Sequence, residues 1–220
     1  MRSSSAGRWS LAVLVVVVAL IVAIWPRDAE APDSGGSGRP TGTAAPVDRR
    51  AQDDAQALAP LRAEANLQPC PAPTGTEPAG PLTGMTFECV GDGSSVDLAA
   101  ALAGRPAILN LWAWWCGPCA EELPVLQEYA RRAGDRVALV TVHTDPNESN
   151  ALSRLVEYGV QIPGVQDGSA RVQAAVEAPP VLPVTVLVRP DGSIAKVLPQ
   201  PFRSVEEIAA AVETHLGVSI

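Results

Sequence analysis

Two of the chain's four cysteines, Cys116 and Cys119, stand two residues apart behind Trp115 in "NLWAWWCGPCAEELP" (110–124). Thiols at this spacing can exchange electrons through a disulfide, hold a metal, or carry a covalently attached haem. A zinc site needs a second pair of ligands, and the remaining candidates, Cys70, Cys89, His143 and His215, are not paired at ligand spacing. Haem attachment needs a histidine directly after the second cysteine, where this chain has Ala120. A purely structural disulfide is a poor match to a strand–turn–helix junction with Gly117-Pro118 between its cysteines. Redox exchange is the favoured chemistry, with no metal and no cofactor expected.

That chemistry depends on what holds the pair. "AILNLWA" (107–113) is a continuous apolar run broken only by Asn110, as expected of a strand buried on both faces. A helix is predicted from Gly117 to Ala133, ending at Gly134. Cys116 then sits at the helix N-terminus, where unpaired N–H groups and the positive end of the dipole stabilise a thiolate. Pro118 is tolerated because first-turn N–H groups have no helical partner. Cys119 lies one turn on, on the same face, and can close a disulfide with the first sulfur.

The flanking pattern completes a mixed α/β sandwich. "MTFECV" (85–90) and "SSV" (94–96) read as a hairpin across Gly91-Asp92-Gly93, and "DLAAALAG" (97–104) as a short helix. A second buried strand is predicted at 136–142, helices at 147–158 and 169–176, and a short strand around "QIPGVQD". An antiparallel hairpin follows, from "PVTVLVR" (183–189) to "SIAKVLP" (193–199), then a last helix at 204–216. Ser204 and Glu207 read as the capping box of that helix. His143 ends a strand near the active-site edge and is assigned no role.

"WCGPC" after "LNLWA" resembles the thioredoxin superfamily. From about Leu82 to the C-terminus the chain resembles its membrane-anchored extracytoplasmic branch, the TlpA/ResA/DsbE-like proteins. The stretch "GSSVDLAAALAGRPAILNLWAWWCGPCAEELP" carries most of the likeness. The resemblance implies a thioredoxin fold with an N-terminal β-hairpin and a strand–helix insertion between Cys119 and Pro183. It assigns attack to Cys116 and resolution to Cys119, and it makes Pro124 the proline that kinks the active-site helix. It makes Pro183 the cis-proline facing the cysteines. Trp115, Gly117, Pro118, Leu182 and Pro183 become the substrate-binding surface. Cytosolic thioredoxins place a buried aspartate where this chain has Asn110. The extracytoplasmic branch instead carries a glutamate three residues after the second cysteine, here Glu122, which the resemblance makes the acceptor of the resolving thiol's proton. Leu182 departs from the threonine frequent before the cis-proline, which removes a hydroxyl from the neighbourhood of the sulfurs.

Residues 11–24 are apolar throughout, flanked by Trp9 and Trp25 and preceded by Arg2 and Arg8. As a helix the run spans about 25 Å, slightly short of a bilayer core. A retained signal anchor over residues 1–25 is favoured above a cleaved signal, with the rest of the chain exported. Residues 26–66 read as a flexible linker with a short helical part, which Pro60 should interrupt, and 67–220 as the thioredoxin-like domain. Export favours a disulfide between the two remaining cysteines, Cys70 and Cys89. The alternative is a second redox pair relaying electrons to Cys116. A formal net charge of −8 leaves no basic stripe for nucleic acid. The expected function is a single-pass, membrane-tethered thiol–disulfide oxidoreductase on the extracytoplasmic side. It reduces or isomerises disulfides of exported proteins, cytochrome c maturation among its settings, and exchanges electrons with a membrane donor or acceptor. The rivals are a disulfide-forming oxidase and a thioredoxin-fold metal or haem chaperone.

Overall fold

A computed structural model describes residues 54–220. The anchor expected at 1–25, and the linker up to residue 53, lie outside the described residues. Among those described, no helix is long and apolar enough to cross a membrane.

The first element is helix α1 (Ala55–Ala65), capped by the Asp54 carboxylate, which accepts from the Gln56 N–H at 2.7 Å. Pro60 was expected to split this segment, yet a single helix runs through it. Pro60 and Gln56 both face solvent, so the carbonyl that loses its helical partner meets water. The opposite face buries Leu58, Arg62 and Ala65 at helical spacing. Strands β1 (Thr86–Cys89) and β2 (Ser95–Asp97) form the hairpin, and α2 (Leu98–Leu102) is capped by Asp97. Strand β3 (Ala107–Trp112) leads into α3 (Gly117–Ala133). A 3₁₀ turn at Gly134–Arg136 delays β4 to Ala138–His143, two residues later than the apolar pattern implied. Helix α4 (Glu148–Tyr158), β5 (Gly164–Gln166) and α5 (Arg171–Ala175) follow. The C-terminal part is β6 (Val184–Val188), β7 (Ile194–Leu198) and α6 (Val205–Leu216). Ser204 Oγ accepts from the Glu207 N–H at 3.2 Å, while the Glu207 carboxylate reaches past the cap to the Arg203 N–H at 2.8 Å.

The seven strands form one sheet in the order β2-β1-β5-β4-β3-β6-β7. Strand β3 is an interior strand, parallel to β4 and antiparallel to β6. Strand alternation sends Ile108 and Trp112 to the face covered by α1, α3, α4 and α6, and Leu109 and Leu111 to the face covered by α2 and α5. Asn110 falls on the first face. Register places it beside Thr141 of β4 and Thr185 of β6, so a polar row crosses an otherwise apolar layer under α3.

Candidate active site

Strand β3 ends at Trp112, and the chain turns through Ala113-Trp114-Trp115 to place Cys116 as the N-cap of α3. The structure joins Cys116 and Cys119 by a disulfide with a Cα–Cα separation of 5.3 Å. Cys116 Sγ also accepts from the Cys119 N–H at 3.2 Å, so one of the helix's orphan donors points at this sulfur. Once the disulfide opens, the same donor and the dipole favour negative charge on Cys116. Cys116 keeps 6% of its surface exposed and Cys119 none. Cys116 is therefore the member of the pair that is open to the surface. Pro118 lies in the first turn and costs no helical bond, while Pro124 sits inside the helix, which continues past it.

Cys116 opens into a groove of about 470 Å³, lined also by Trp115, Gly117, Pro118, Thr144, Ala170, Gln173 and the segment Pro180–Leu182. Trp115, 59% exposed, and Val181 are large apolar side chains left open to solvent at its rim. Of the residues assigned to substrate binding, Trp115, Gly117, Pro118 and Leu182 thus share one surface. Pro183 is buried directly behind Leu182, and the Leu182–Pro183 peptide is cis. A Cβ at Gly117 would meet open space, so packing does not demand glycine there.

Glu122 lies one turn beyond Cys119 and is fully buried. Its Oε1 accepts from the Phe202 backbone N–H at 2.9 Å and its Oε2 from Asn110 Nδ2 at 2.8 Å. Burial pushes its carboxyl up to about 7, the two hydrogen bonds opposing the shift only in part. A carboxyl tuned to this range and placed one turn from a buried thiol can take up and return a proton near neutral pH.

Sequence reasoning missed several contributors. Asp145, just past β4, accepts from Trp114 Nε1 at 3.0 Å and from Trp115 Nε1 at 2.9 Å, clamping both indoles beside the disulfide. Burial pushes its carboxyl up, but donors from Asn147, Trp115 and Trp114 outweigh this and hold it below the ordinary carboxylate range. The signal available was the "TDPN" turn, which marks a helix start and says nothing of tryptophan. Phe202 contributes only a backbone N–H, which no side-chain pattern reveals. Ala170 and Gln173 reach the groove from the inserted segment, where the buried Asp167 accepts from the N–H groups of Arg171 and Val172 at 3.0 and 2.8 Å. His143 is buried against Trp112, with ring centroids 5.0 Å apart, and its Nδ1 lies 2.8 Å from Gln166 Oε1.

Cys70 and Cys89 are joined by a second disulfide, with Cα atoms 6.1 Å apart. Register sets Cys89 opposite Val165, Val165 opposite Val142 and Val142 opposite Leu111. Three strand spacings, about 14 Å, therefore separate Cys89 from the strand that carries the active-site turn. Direct exchange between the two disulfides would require the sheet to open. Among the described residues no cluster of three or more His, Cys, Asp or Glu side chains could hold a metal.

A thioredoxin-like sheet with a cysteine pair heading its central helix defines a class of redox proteins, and comparison with known proteins places the chain within it. The Redoxin family model matches residues 70–212, well over half of the sequence, and the chain belongs to that family. Thiol-disulfide oxidoreductase ResA of Bacillus subtilis (strain 168) is 32% identical over 108 residues, 49% of this chain and 59% of that protein. Thiol:disulfide interchange protein CycY of Rhizobium leguminosarum bv. viciae is 34% identical over 124 residues, covering 54% and 64% respectively. The chain thus spans less than two thirds of the length of these relatives. A secreted Mycobacterium tuberculosis disulfide oxidoreductase, described as homologous to E. coli DsbE, shares the fold with a TM-score of 0.53 and 25% identity. The match covers 61% of this chain and 97% of that one. The relatives are those of the TlpA/ResA/DsbE-like branch that the Trp-Cys-Gly-Pro-Cys segment resembled.

Proposed function

We propose that the protein is an extracytoplasmic thiol–disulfide oxidoreductase that reduces or isomerises disulfides of exported proteins, c-type apocytochromes among them. Residues 1–25 tether it to the membrane and the segment up to residue 53 serves as the linker; the helical part expected within that linker, α1, packs on the sheet and belongs with the working domain that runs to residue 220. A membrane-borne donor or acceptor resets the cysteine pair. The observation that carries this reading is the division of the pair: Cys116 at a helix N-terminus in an apolar-rimmed groove, Cys119 buried above Glu122.

In the reducing direction the Cys116 thiolate attacks one sulfur of a substrate disulfide. A Cys116–substrate disulfide forms and the other substrate sulfur leaves as a thiolate. Cys119 then passes its proton to Glu122 and attacks Cys116 Sγ, expelling the second substrate thiolate. Two electrons have moved from the protein dithiol to the substrate, and the proton held by Glu122 goes through water to the departing thiolate. Trp115, Val181 and Leu182 offer an apolar seat for the segment flanking the substrate cysteine. The Gly117-Pro118 dipeptide supports the reducing direction, because it resembles thioredoxin, whose potential is about −270 mV.

The test is a Cys119→Ser variant expressed in the native envelope. Serine removes the resolving thiol, so substrates should accumulate as dithiothreitol-sensitive adducts on Cys116. Adducts on Cys119 alone in the reciprocal Cys116→Ser protein would reverse the assignment. No adduct in either variant would turn the reading toward a binding module.

A further inference from the structure

The donors around Glu122 are matched to its ionised form only. Each carboxylate oxygen accepts one hydrogen bond, from the Phe202 N–H and from Asn110 Nδ2. A protonated Glu122 must instead donate, and neither of those groups can accept. Nδ2 of Asn110 also donates to Thr185 Oγ1 at 3.2 Å, while Asn110 Oδ1 is buried and has no partner among the described residues. An unused acceptor thus belongs to the very amide that holds the carboxylate. The two ends of a carboxamide are nearly the same size, so half a turn about its last bond exchanges acceptor for donor without disturbing the packing.

We propose that Asn110 is a positioning residue for the proton relay: its side-chain amide turns over when Glu122 takes the proton of Cys119. With Glu122 ionised, Nδ2 donates to Oε2 and to the Thr185 hydroxyl, as in the structure. With Glu122 protonated, Oδ1 accepts from the Glu122 O–H, and the Thr185 hydroxyl rotates to donate to the same oxygen. The carboxyl stays hydrogen-bonded in both states and does not have to move. The two states are not equivalent, since turning leaves the NH₂ group without a partner, and a lost donor bond costs more than an idle acceptor. Asn110 therefore leans toward the carboxylate and opposes the burial that pushes Glu122 up. An aspartate here would place a second acid beside Glu122, and an apolar residue would supply neither bond.

Among the described residues, no charged side chain acts on Glu122. Strand β3 presents Asn110, β6 presents Thr185, and the segment after β7 presents the Phe202 N–H. Neighbouring Glu121 is exposed and pairs with Arg203 at 3.8 Å. On α3 the remaining titratable neighbour is Cys119.

The inference rests on Glu122 accepting the proton of Cys119, and the experiment separates the two. The full-length reduced protein, in detergent, is mixed with 5,5′-dithiobis(2-nitrobenzoate). Attack by Cys116 releases one thionitrobenzoate, and resolution by Cys119 releases the second. The pH dependence of the second phase reports the relay. Asn110→Leu removes the donor and should move its midpoint up by about one pH unit, leaving the first phase unchanged. Glu122→Gln should remove the carboxylate limb altogether. If Glu122→Gln removes that limb while Asn110→Leu keeps the wild-type midpoint, the Asn110 inference alone falls. If neither variant alters the second phase, the role given to Glu122 falls as well. Should Asn110→Leu fail to fold, the side-chain ¹H–¹⁵N signals of Asn110 in the wild-type protein decide. They should titrate with the Glu122 midpoint and become pH-independent in Glu122→Gln. Signals that stay fixed through the wild-type titration would overturn the proposal.

Discussion

A carboxyl group buried without a cation is an unusual thing to keep on a helix, and Glu122 shows its cost in pH terms. Its folded pKa of about 7 lies above the ordinary 4.5, so the folded state holds the proton more tightly than the unfolded chain. The resulting stability is fully present below the unfolded value and is lost as pH rises through the folded one. The gap of about 2.5 units corresponds to roughly 3 kcal/mol. Glu122→Gln keeps the shape and stays neutral, and the Asn110 amide can turn to meet its NH₂ group. Relative to wild type, the variant should therefore gain roughly 3 kcal/mol between about pH 4 and about pH 8 in denaturant unfolding of the oxidised proteins. An equal difference between the two proteins at both pH values would show that Glu122 ionises as an exposed carboxyl does. Asp145 shows the opposite balance, since four donors keep it ionised and make it an anchor for two indoles.

At the scale of elements, the segment before the hairpin is fastened twice. Helix α1 packs against α4 and sends Arg62 between Glu88 of β1 and Glu148 of α4, at 2.5 and 2.9 Å. Removing the guanidinium would take from the buried Glu148 carboxylate the cation it bonds at 2.9 Å, a change that typically costs several kcal/mol. The Cys70–Cys89 bridge then ties the chain after α1 to the end of β1, closing a loop of sequence separation 19. A loop of this length is worth about 3 kcal/mol in the chain-entropy model. Replacing both cysteines by alanine should lower stability by about that amount and leave disulfide exchange at Cys116 largely intact, because about 14 Å of sheet separates the two sites. Lost exchange in a folded double variant, measured by insulin reduction, would instead point to a relay.

For the whole molecule, the working end is the C-terminal edge of β3 and β4, where the groove, the disulfide and the clamped tryptophans meet. The proposed tether over residues 1–25 would hold that edge on the outer side of the membrane. The chain should therefore sediment with membranes after carbonate washing, and a protease added outside spheroplasts should release the folded domain. Recovery of the intact chain in the soluble fraction would remove the anchor from the proposal.

The residues that exchange electrons were legible in the sequence because their chemistry is local. Cys116, the turn before it and the helix after it lie within about twenty consecutive residues, where periodicity, apolar runs and capping rules act directly. The same locality made the strand–helix–strand run around the cysteine pair and the final hairpin readable. Pro60 misled, because whether a proline breaks a helix depends on which face meets water, and that is settled by what packs against the other side. The partners of Glu122 come from positions 110 and 202, and the clamp on Trp114 and Trp115 from position 145. Sequence alone gives a residue's type and its neighbours within a turn or two. A buried carboxyl's proton affinity is set instead by desolvation and by donors brought from distant strands and loops, and only the folded sheet decides which donors those are.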